Sequence, residues 1–420
     1  MVAVGDCVAN QPVPLDGAFE PIHQIIQGAD LAIANLEGTL LDTPPSNFVE
    51  HPDISHGCIL GTTQFANNLK HMGFKMVSRA NNHVLDFGID GMRQTNLALD
   101  LAGIVHSGSG EDKTTAEAPC FIETAHGRIG LLSAASTFAP GSRSTSRHDK
   151  APGRPGVNAL RSTPYVLLTR GEMKTLRRIR DQQPIGSVSE YQHEVNVQLE
   201  LFGVHYRVGD RRGLSYSVNL RDEDAILEQV QDTKKKSDVL IFSLHSHEPG
   251  NWSDVPADFL VEFAHKVVDA GADLIIGHGP HQLRGVEIYR GCPIFYSLGN
   301  FIFQVHTLHP TVKDYYEEQR NELGSEDIEL LKLWKTFVLG TGVWYRSVIT
   351  TIQICDGRAA RILLSPLDLS GDPDLSCPGI PRLASEPVAK AILERLQVLS
   401  APLGTRIRRR KNVGIVHLRR

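Results

Sequence analysis

The chain has 420 residues, 41% of them hydrophobic and 22% charged, enough apolar material for a large buried core and a balance that excludes a disordered or fibrous chain. A formal net charge of −5 excludes a general electrostatic pull towards nucleic acid or anionic membranes, and no apolar run approaches the roughly 20 residues of a membrane span. The six cysteines are scattered and include no CxxC pair, which points to reduced, mostly buried thiols rather than disulfides or a zinc ribbon.

A strand opens the chain at MVAV (1–4), with no signal peptide ahead of it as given. That reads as cytoplasmic, or as exported if a leader has been removed. A segment around Pro21–Gln27 leads to the strand LAIANLEG (31–38), and TTQFANNLKHMG (62–73) reads as a helix before the strand FKMVSRANNH (74–83). Residues 89–102 are helix-like, followed by IVHSG and the strand RIGLLSAAS (128–136). The rhythm then breaks. Residues 139–220, with the basic helical stretch GEMKTLRRIRDQQ, read as a long insertion and a candidate lid. Alternation resumes with an acid-led helix (220–238), the strand VLIFSLH (239–245), and a helix at 256–271 punctuated by Pro256 and Gly271. LIIGH and the apolar stretch CPIFYSLGNFIF (292–303) follow, then a charged helical region (306–340). Residues 343–369 predict an antiparallel hairpin turning at Asp356-Gly357, and 386–399 a helix capped by Ser385 with Pro387 in its first turn. The basic end, RIRRRKNVGIVHLRR, reads as a solvated tail. This alternation predicts an α/β fold, with one domain over 1–375 that carries the insertion and a C-terminal helix and tail over 376–420.

Histidine is the compositional oddity, at 18 residues. Five apolar runs end in groups able to bind a metal or move a proton: Asp6, Asn35 to Glu37, Asn81 to His83, His245 to Glu248, and His278 with His281. Ligands of open α/β sheets collect beyond the carboxyl ends of parallel strands, so one sheet edge would gather these residues. Carboxylate, amide oxygen and imidazole together suit Mn, Fe or Zn, and the lack of cysteine ligands argues against structural zinc. Of His245 and His247, one is expected to point into the site if their strand continues.

ANLEGTL (34–40), ANNHVLDFGIDG (80–91) and GADLIIGHGPHQLRGVEIYRGCPIFYSLGNF (271–301) resemble the CapA-type poly-γ-glutamate synthesis proteins, within the calcineurin-like metallophosphoesterase superfamily. The resemblance covers roughly 1–136 and 221–369. It implies a four-layer α/β/β/α sandwich with a divalent metal centre of one or two ions. It further implies Asp6, Glu37, Asn82, His245, His278 and His281 as metal ligands, Glu37 as the candidate bridge, and His83 as the acid/base or transition-state contact. The chain also departs from the superfamily pattern. Val8 stands where a histidine usually follows the first aspartate, Asn35-Leu36-Glu37 replaces the second acidic motif, and His278-Gly-Pro-His281 is one residue wider than usual. One firm metal site is therefore expected, with a second left open.

Three functions follow. The first is a metal-dependent hydrolase of a peptide, polyglutamate-type amide or phosphoester. The second is an epimerase in which a metal polarises a peptide carbonyl while Asp6 and His281 exchange protons at the adjacent carbon. The third is a non-catalytic component of capsule polymer synthesis. The departures favour a peptide- or polyglutamate-like substrate, with no nucleic acid expected.

Overall fold

A computed structural model describes residues 1–11, 13, 17–42, 58–182, 197–305, 342–370 and 379–418. The charged region 306–340, most of the middle of the insertion and Cys377 lie outside the described residues.

Two sheets dominate. In the ten-stranded sheet, Val2–Val8, Ala32–Leu36, Met76–Ser78 and Val105–Ser107 run parallel, with Asn300–Phe303 also parallel to Val2–Val8. The hairpin Arg346–Cys355 and Arg358–Asp368 extends it antiparallel on the other side. In the six-stranded sheet, Gly127–Ala135, Val239–His245, Leu274–His278 and Cys292–Phe295 are parallel neighbours.

The three large cores show how the layers stack. Ala3, Ile33 and Met76 of the first sheet meet Leu131, Ile241 and Ile276 of the second between the sheets. Outside the first sheet, Val4 and Val77 pack with Ile22 and Ile26 of the helix Glu20–Gln27 and with Leu69 and Met72 of Gln64–Met72. Outside the second, Leu240 and Phe242 pack with Val230 of Leu220–Lys234 and Phe263 of Asp258–Ala270. The result is the expected four-layer α/β/β/α sandwich. Strands buried on both faces read as continuous apolar runs, which is how VAV, LAIA and VLIFSL appear in the sequence. Among the described residues, no helix is long and apolar enough to cross a membrane.

Several sequence expectations need correction. The apolar stretch CPIFYSLGNFIF divides between the sheets: Cys292–Phe295 joins the second and Asn300–Phe303 the first. The chain crosses at Gly299, whose φ of 71° lies in the left-handed region, and a side chain at the facing Gly5 would overlap the Gly299 carbonyl. The basic tail is not solvated throughout. Ile407–Arg410 and Val413–Val416 pair with each other and then with Arg358–Asp368, burying Ile407 and Val416 in the inter-sheet core. The helix Glu386–Ser400 sits where predicted and packs Ile392, Leu393 and Leu396 into the same core, but Ser385 makes no side-chain cap hydrogen bond. The hairpin turns at Asp356-Gly357 as expected, both residues at positive φ. Within the insertion, Gln198–Leu201, Val204–Val208, Ser162–Leu168 and Gly213–Val218 form a four-stranded sheet with the helix Arg170–Asp181. It docks on Asp258–Ala270 through Tyr216 against Phe259, ring centroids 5.2 Å apart. Among the described residues no cysteine forms a disulfide.

Candidate metal centre

The carboxyl ends of both sheets meet at one place. Asp6 lies opposite Asn35 and Asn300 in the ladder of the first sheet, and His245 lies opposite His278 in the second. Asn81, Asn82 and His83 enter on the turn after Met76–Ser78, and His281 on the turn after Leu274–His278. All the residues singled out from the sequence (Asp6, Glu37, Asn82, His83, His245, His278 and His281) come together here, each buried.

Glu37 stands at the middle. Its Oε1 lies 3.8 Å from His83 Nε2, 3.8 Å from His281 Nε2 and 3.9 Å from His245 Nε2, and neither carboxylate oxygen has a hydrogen-bond partner. The peptide on either side is pinned by the fully buried Arg79, whose Nη1 donates to the carbonyls of Leu36 and Gly38. Burial pushes the Arg79 guanidinium down to about 10, against the opposing pull of Asp86. Burial, reinforced by the negative charges of Asp6 and Asp86, raises the Glu37 carboxyl well above the ordinary carboxylate range.

Asp6 is differently held. Its Oδ1 accepts from Asn35 Nδ2 at 2.8 Å and its Oδ2 from the Gly279 backbone at 3.1 Å, with His278 Nδ1 3.2 Å from Oδ1. Gly279, at φ 114°, brings that N–H in close, because a Cβ there would press on the Ser246 backbone. Burial alone would raise the Asp6 carboxyl. The close approach of His278, with His245 and His281 beyond it, outweighs that effect and holds Asp6 below the usual range.

His245 is fully buried and its imidazole is pushed down to about 3, chiefly by burial; Asp6 opposes the shift and the neighbouring histidines add to it. Its Nδ1 accepts from Asn35 at 3.3 Å, and its Nε2 lies 2.8 Å from Asn82 Oδ1 and 3.0 Å from His247 Nε2. The expectation that only one of the pair enters the site is wrong: residues two apart on a strand share a face, and although the strand ends at His245 both imidazoles reach the centre.

Three supporting residues were not picked out from the sequence as site members. Asp86 Oδ2 accepts from His83 Nδ1 at 2.8 Å and also from the Ile59 backbone at 2.7 Å. That leaves His83 Nε2 facing Glu37. The His83-x-x-Asp86 spacing on a turn was the available signal. Asn300 holds His281 from two sides: its Oδ1 accepts from Nδ1 at 3.0 Å, and its Nδ2 donates to the His281 carbonyl at 3.0 Å. The clamp stabilises His281 at φ 58°, a conformation a non-glycine residue rarely adopts. Nothing local pointed to Arg79.

The donor set fits a divalent ion. Ligand atoms of Asp6, Glu37 and His245 lie within 4.8 Å of one another, as do those of Glu37, His247 and His281. A fully buried carboxylate with two unpartnered oxygens among imidazole nitrogens suits a compensating cation. Asn82 Nδ2 and His278 Nδ1 likewise have no hydrogen-bond partner.

Comparison with known proteins gives a consistent picture. Residues 1–305 match the family described as bacterial capsule synthesis protein PGA_cap. The chain is 39% identical to the uncharacterized protein y4sH of Sinorhizobium fredii, an alignment covering 100% of this chain and 93% of that one. It is 27% identical to a probable polyglutamine synthesis accessory protein of Mycobacterium tuberculosis, over 65% of this chain and 55% of the relative. It is 23% identical to the PGA biosynthesis protein CapA of Bacillus subtilis, over 69% of this chain and 57% of the relative.

Proposed function

The chain belongs to the bacterial capsule synthesis protein PGA_cap family, and from that premise we propose that it is a metal-dependent enzyme hydrolysing an amide bond in a peptide- or polyglutamate-type substrate. The observation that carries this reading is Glu37: buried, with both oxygens unpartnered, and ringed by imidazoles. Asp6, Glu37, Asn82, His245, His278 and His281 would hold the cation. When bound, a divalent ion such as Mn, Fe or Zn supplies Lewis acidity towards a carbonyl and an acidified water.

The chain's own residues do the rest. Asp86 fixes the His83 ring so that Nε2 faces the centre, where it hands a proton to the departing amine nitrogen as the C–N bond breaks. Asp6 is closed to solvent, and both its oxygens accept backbone or amide N–H groups, an arrangement that suits a fixed negative charge. Asn300 keeps His281 Nε2 turned inwards. Arg79 offsets part of the buried negative charge.

The test is incubation of the Mn²⁺-loaded protein with γ-linked and α-linked glutamate oligomers, scoring new amino termini by mass spectrometry. Cleavage that disappears in His83→Ala supports hydrolysis. Running the assay in heavy water separates the epimerase reading, which incorporates deuterium at Cα without cleavage. Polymer binding with neither reaction overturns the enzyme reading in favour of a non-catalytic role in capsule polymer synthesis.

A further inference from the structure

The strands that complete the first sheet leave it with a basic edge. Ile407–Arg410 is the last strand of that sheet, paired to Val413–Val416 and through it to Arg358–Asp368. Residues opposite one another in an antiparallel ladder share a face, and successive residues alternate between faces. Ile407 lies opposite Val416, and both are buried between the sheets. Arg408, opposite Ile415, and Arg410, opposite Val413, therefore project from the other face. Arg406, two residues earlier, joins them, because its carbonyl accepts from the His417 N–H and so continues the ladder. Leu363 also lies opposite Ile415, which puts Arg361 on that face as well.

Four arginines thus stand exposed on one face, three of them at alternate positions ~6.8 Å apart along the edge. Among the described residues none of the four pairs with a carboxylate, and the sequence after Glu394 contains no acidic residue. In a chain of net charge −5 this positive charge is a local concentration, not a reflection of composition. Half-buried Val413, Ile415 and Leu363 form an apolar floor on the same face. Guanidinium forks suit carboxylates, and an extended acidic peptide repeats its carboxylates along one side at the same spacing. The floor suits the methylenes that carry those carboxylates. Nucleic acid is a poorer match, because the described residues of this face include no Phe, Tyr or Trp on which bases stack. The strip is also remote from the metal centre. Ile407–Arg410 is the fourth strand across from Val2–Val8, about 19 Å at ~4.8 Å per strand.

Resting on the peptide- or polyglutamate-like substrate of the reading above, we propose that this face is a docking strip for an anionic amide polymer, a chain bearing one carboxylate per residue. Arg361, Arg406, Arg408 and Arg410 hold one stretch of the polymer by its carboxylates while another stretch of the same chain reaches the metal centre. Long chains are thereby retained in preference to short ones, since a trimer, at ~3.4 Å per residue, cannot span both places.

The experiment is fluorescence anisotropy of a labelled α-linked glutamate polymer of about 20 residues, and of a labelled glutamate trimer, titrated with the full chain in the presence of a chelator so that no metal contributes. Wild type is expected to bind the polymer with an affinity that falls as salt rises, and to bind the trimer roughly tenfold more weakly or worse. Arg408→Ser with Arg410→Ser should lose roughly tenfold or more in polymer affinity and flatten the salt dependence. Lys70→Ser with Lys75→Ser, exposed bases towards the opposite edge of the sheet, removes the same charge and should change affinity less than about twofold. Circular dichroism melts check folding, and Arg361→Ser with Arg406→Ser stands in for a strip variant that does not fold. Unchanged polymer affinity in a folded strip variant overturns the proposal, as does an equal loss in the lysine control or no binding by wild type. Tighter binding of single-stranded DNA or of phosphatidylglycerol vesicles than of the polymer overturns the assigned occupant. Binding at the strip without cleavage of any oligomer by the Mn²⁺-loaded protein supports the docking strip and defeats the hydrolase reading instead.

Discussion

Replacing Glu37 by glutamine separates the two things its carboxyl does. In the metal-free protein both oxygens are buried without hydrogen-bond partners, and the group is pushed towards its neutral form. Glutamine is nearly isosteric and neutral. The metal-free variant should therefore be as stable as wild type at neutral pH, or up to about 1 kcal/mol more stable. Its response to metal should differ sharply. An ion at a hundred times its dissociation constant stabilises the native state by about 2.7 kcal/mol. For 420 residues the unfolding entropy is about 0.9 kcal/mol/K, from ~2.1 cal/mol/K per residue, so wild type should gain about 3 °C in Tm. Glu37→Gln should gain less than about 1 °C, since a carboxylate ligand to both groups is gone. The pH dependence follows from the same shift. A carboxyl whose folded pKa is raised keeps its proton where the unfolded chain has lost it. Its contribution is therefore fully present below the ordinary carboxylate range and is lost as pH rises towards the folded value. The metal-free wild type should lose Tm as pH rises from about 4 upwards relative to Glu37→Gln, which lacks this slope. Scanning fluorimetry with and without Mn²⁺ at several pH values measures all of this. A metal-free variant that melts several degrees lower, or one that still gains the full shift with Mn²⁺, refutes the reasoning.

Three further outcomes test other parts of the structure. Asn300→Ala orphans the His281 Nδ1–H and carbonyl and releases a strained backbone; it should cost about 2–3 kcal/mol by urea denaturation and weaken Mn²⁺ binding roughly 10- to 100-fold. Asp222→Asn removes the paired hydrogen bonds that Arg161 makes from Nε and Nη2, at the joint between the insertion and the helix Leu220–Lys234. Burial would raise the Asp222 carboxyl, but Arg161 holds it below its ordinary value; the substitution should cost about 1–2 kcal/mol at neutral pH, a difference that fades as pH falls through the folded pKa. Phe301→Ala empties a fully buried position that meets Phe19 and Phe74 edge-on, at centroid distances of 6.3 and 5.6 Å. A loss of about 3–5 kcal/mol is expected, and a value under 1 would mean the outer core collapses around the gap.

Local chemistry carried much of this protein. Apolar runs buried on both faces, Gly73 and Gly103 ending helices at positive φ, and Asp356-Gly357 closing a hairpin are short-range effects, legible wherever they occur. The polar groups at strand ends were legible for a related reason: a parallel strand must stop where its apolar run stops, so Asp6, Glu37, His245 and His278 mark strand ends before any pairing is known, although they lie on two sheets rather than on the single edge expected. The expectation that only one of His245 and His247 enters the site misjudged the strand period: residues two apart share a face, and both imidazoles meet at the centre.

What the sequence by itself determined is therefore the set of elements, their order and the chemical character of the strand ends. Only the tertiary structure decided that CPIF and NFIF belong to different sheets, and that the basic C-terminal strands complete the first of them. It also decided that Asp86, Asn300 and Arg79 support the centre from segments that meet only on folding. The physical reason is range. Propensity and periodicity act over a few residues, whereas sheet membership and the pairing of buried charges are fixed by contacts between segments far apart in the chain.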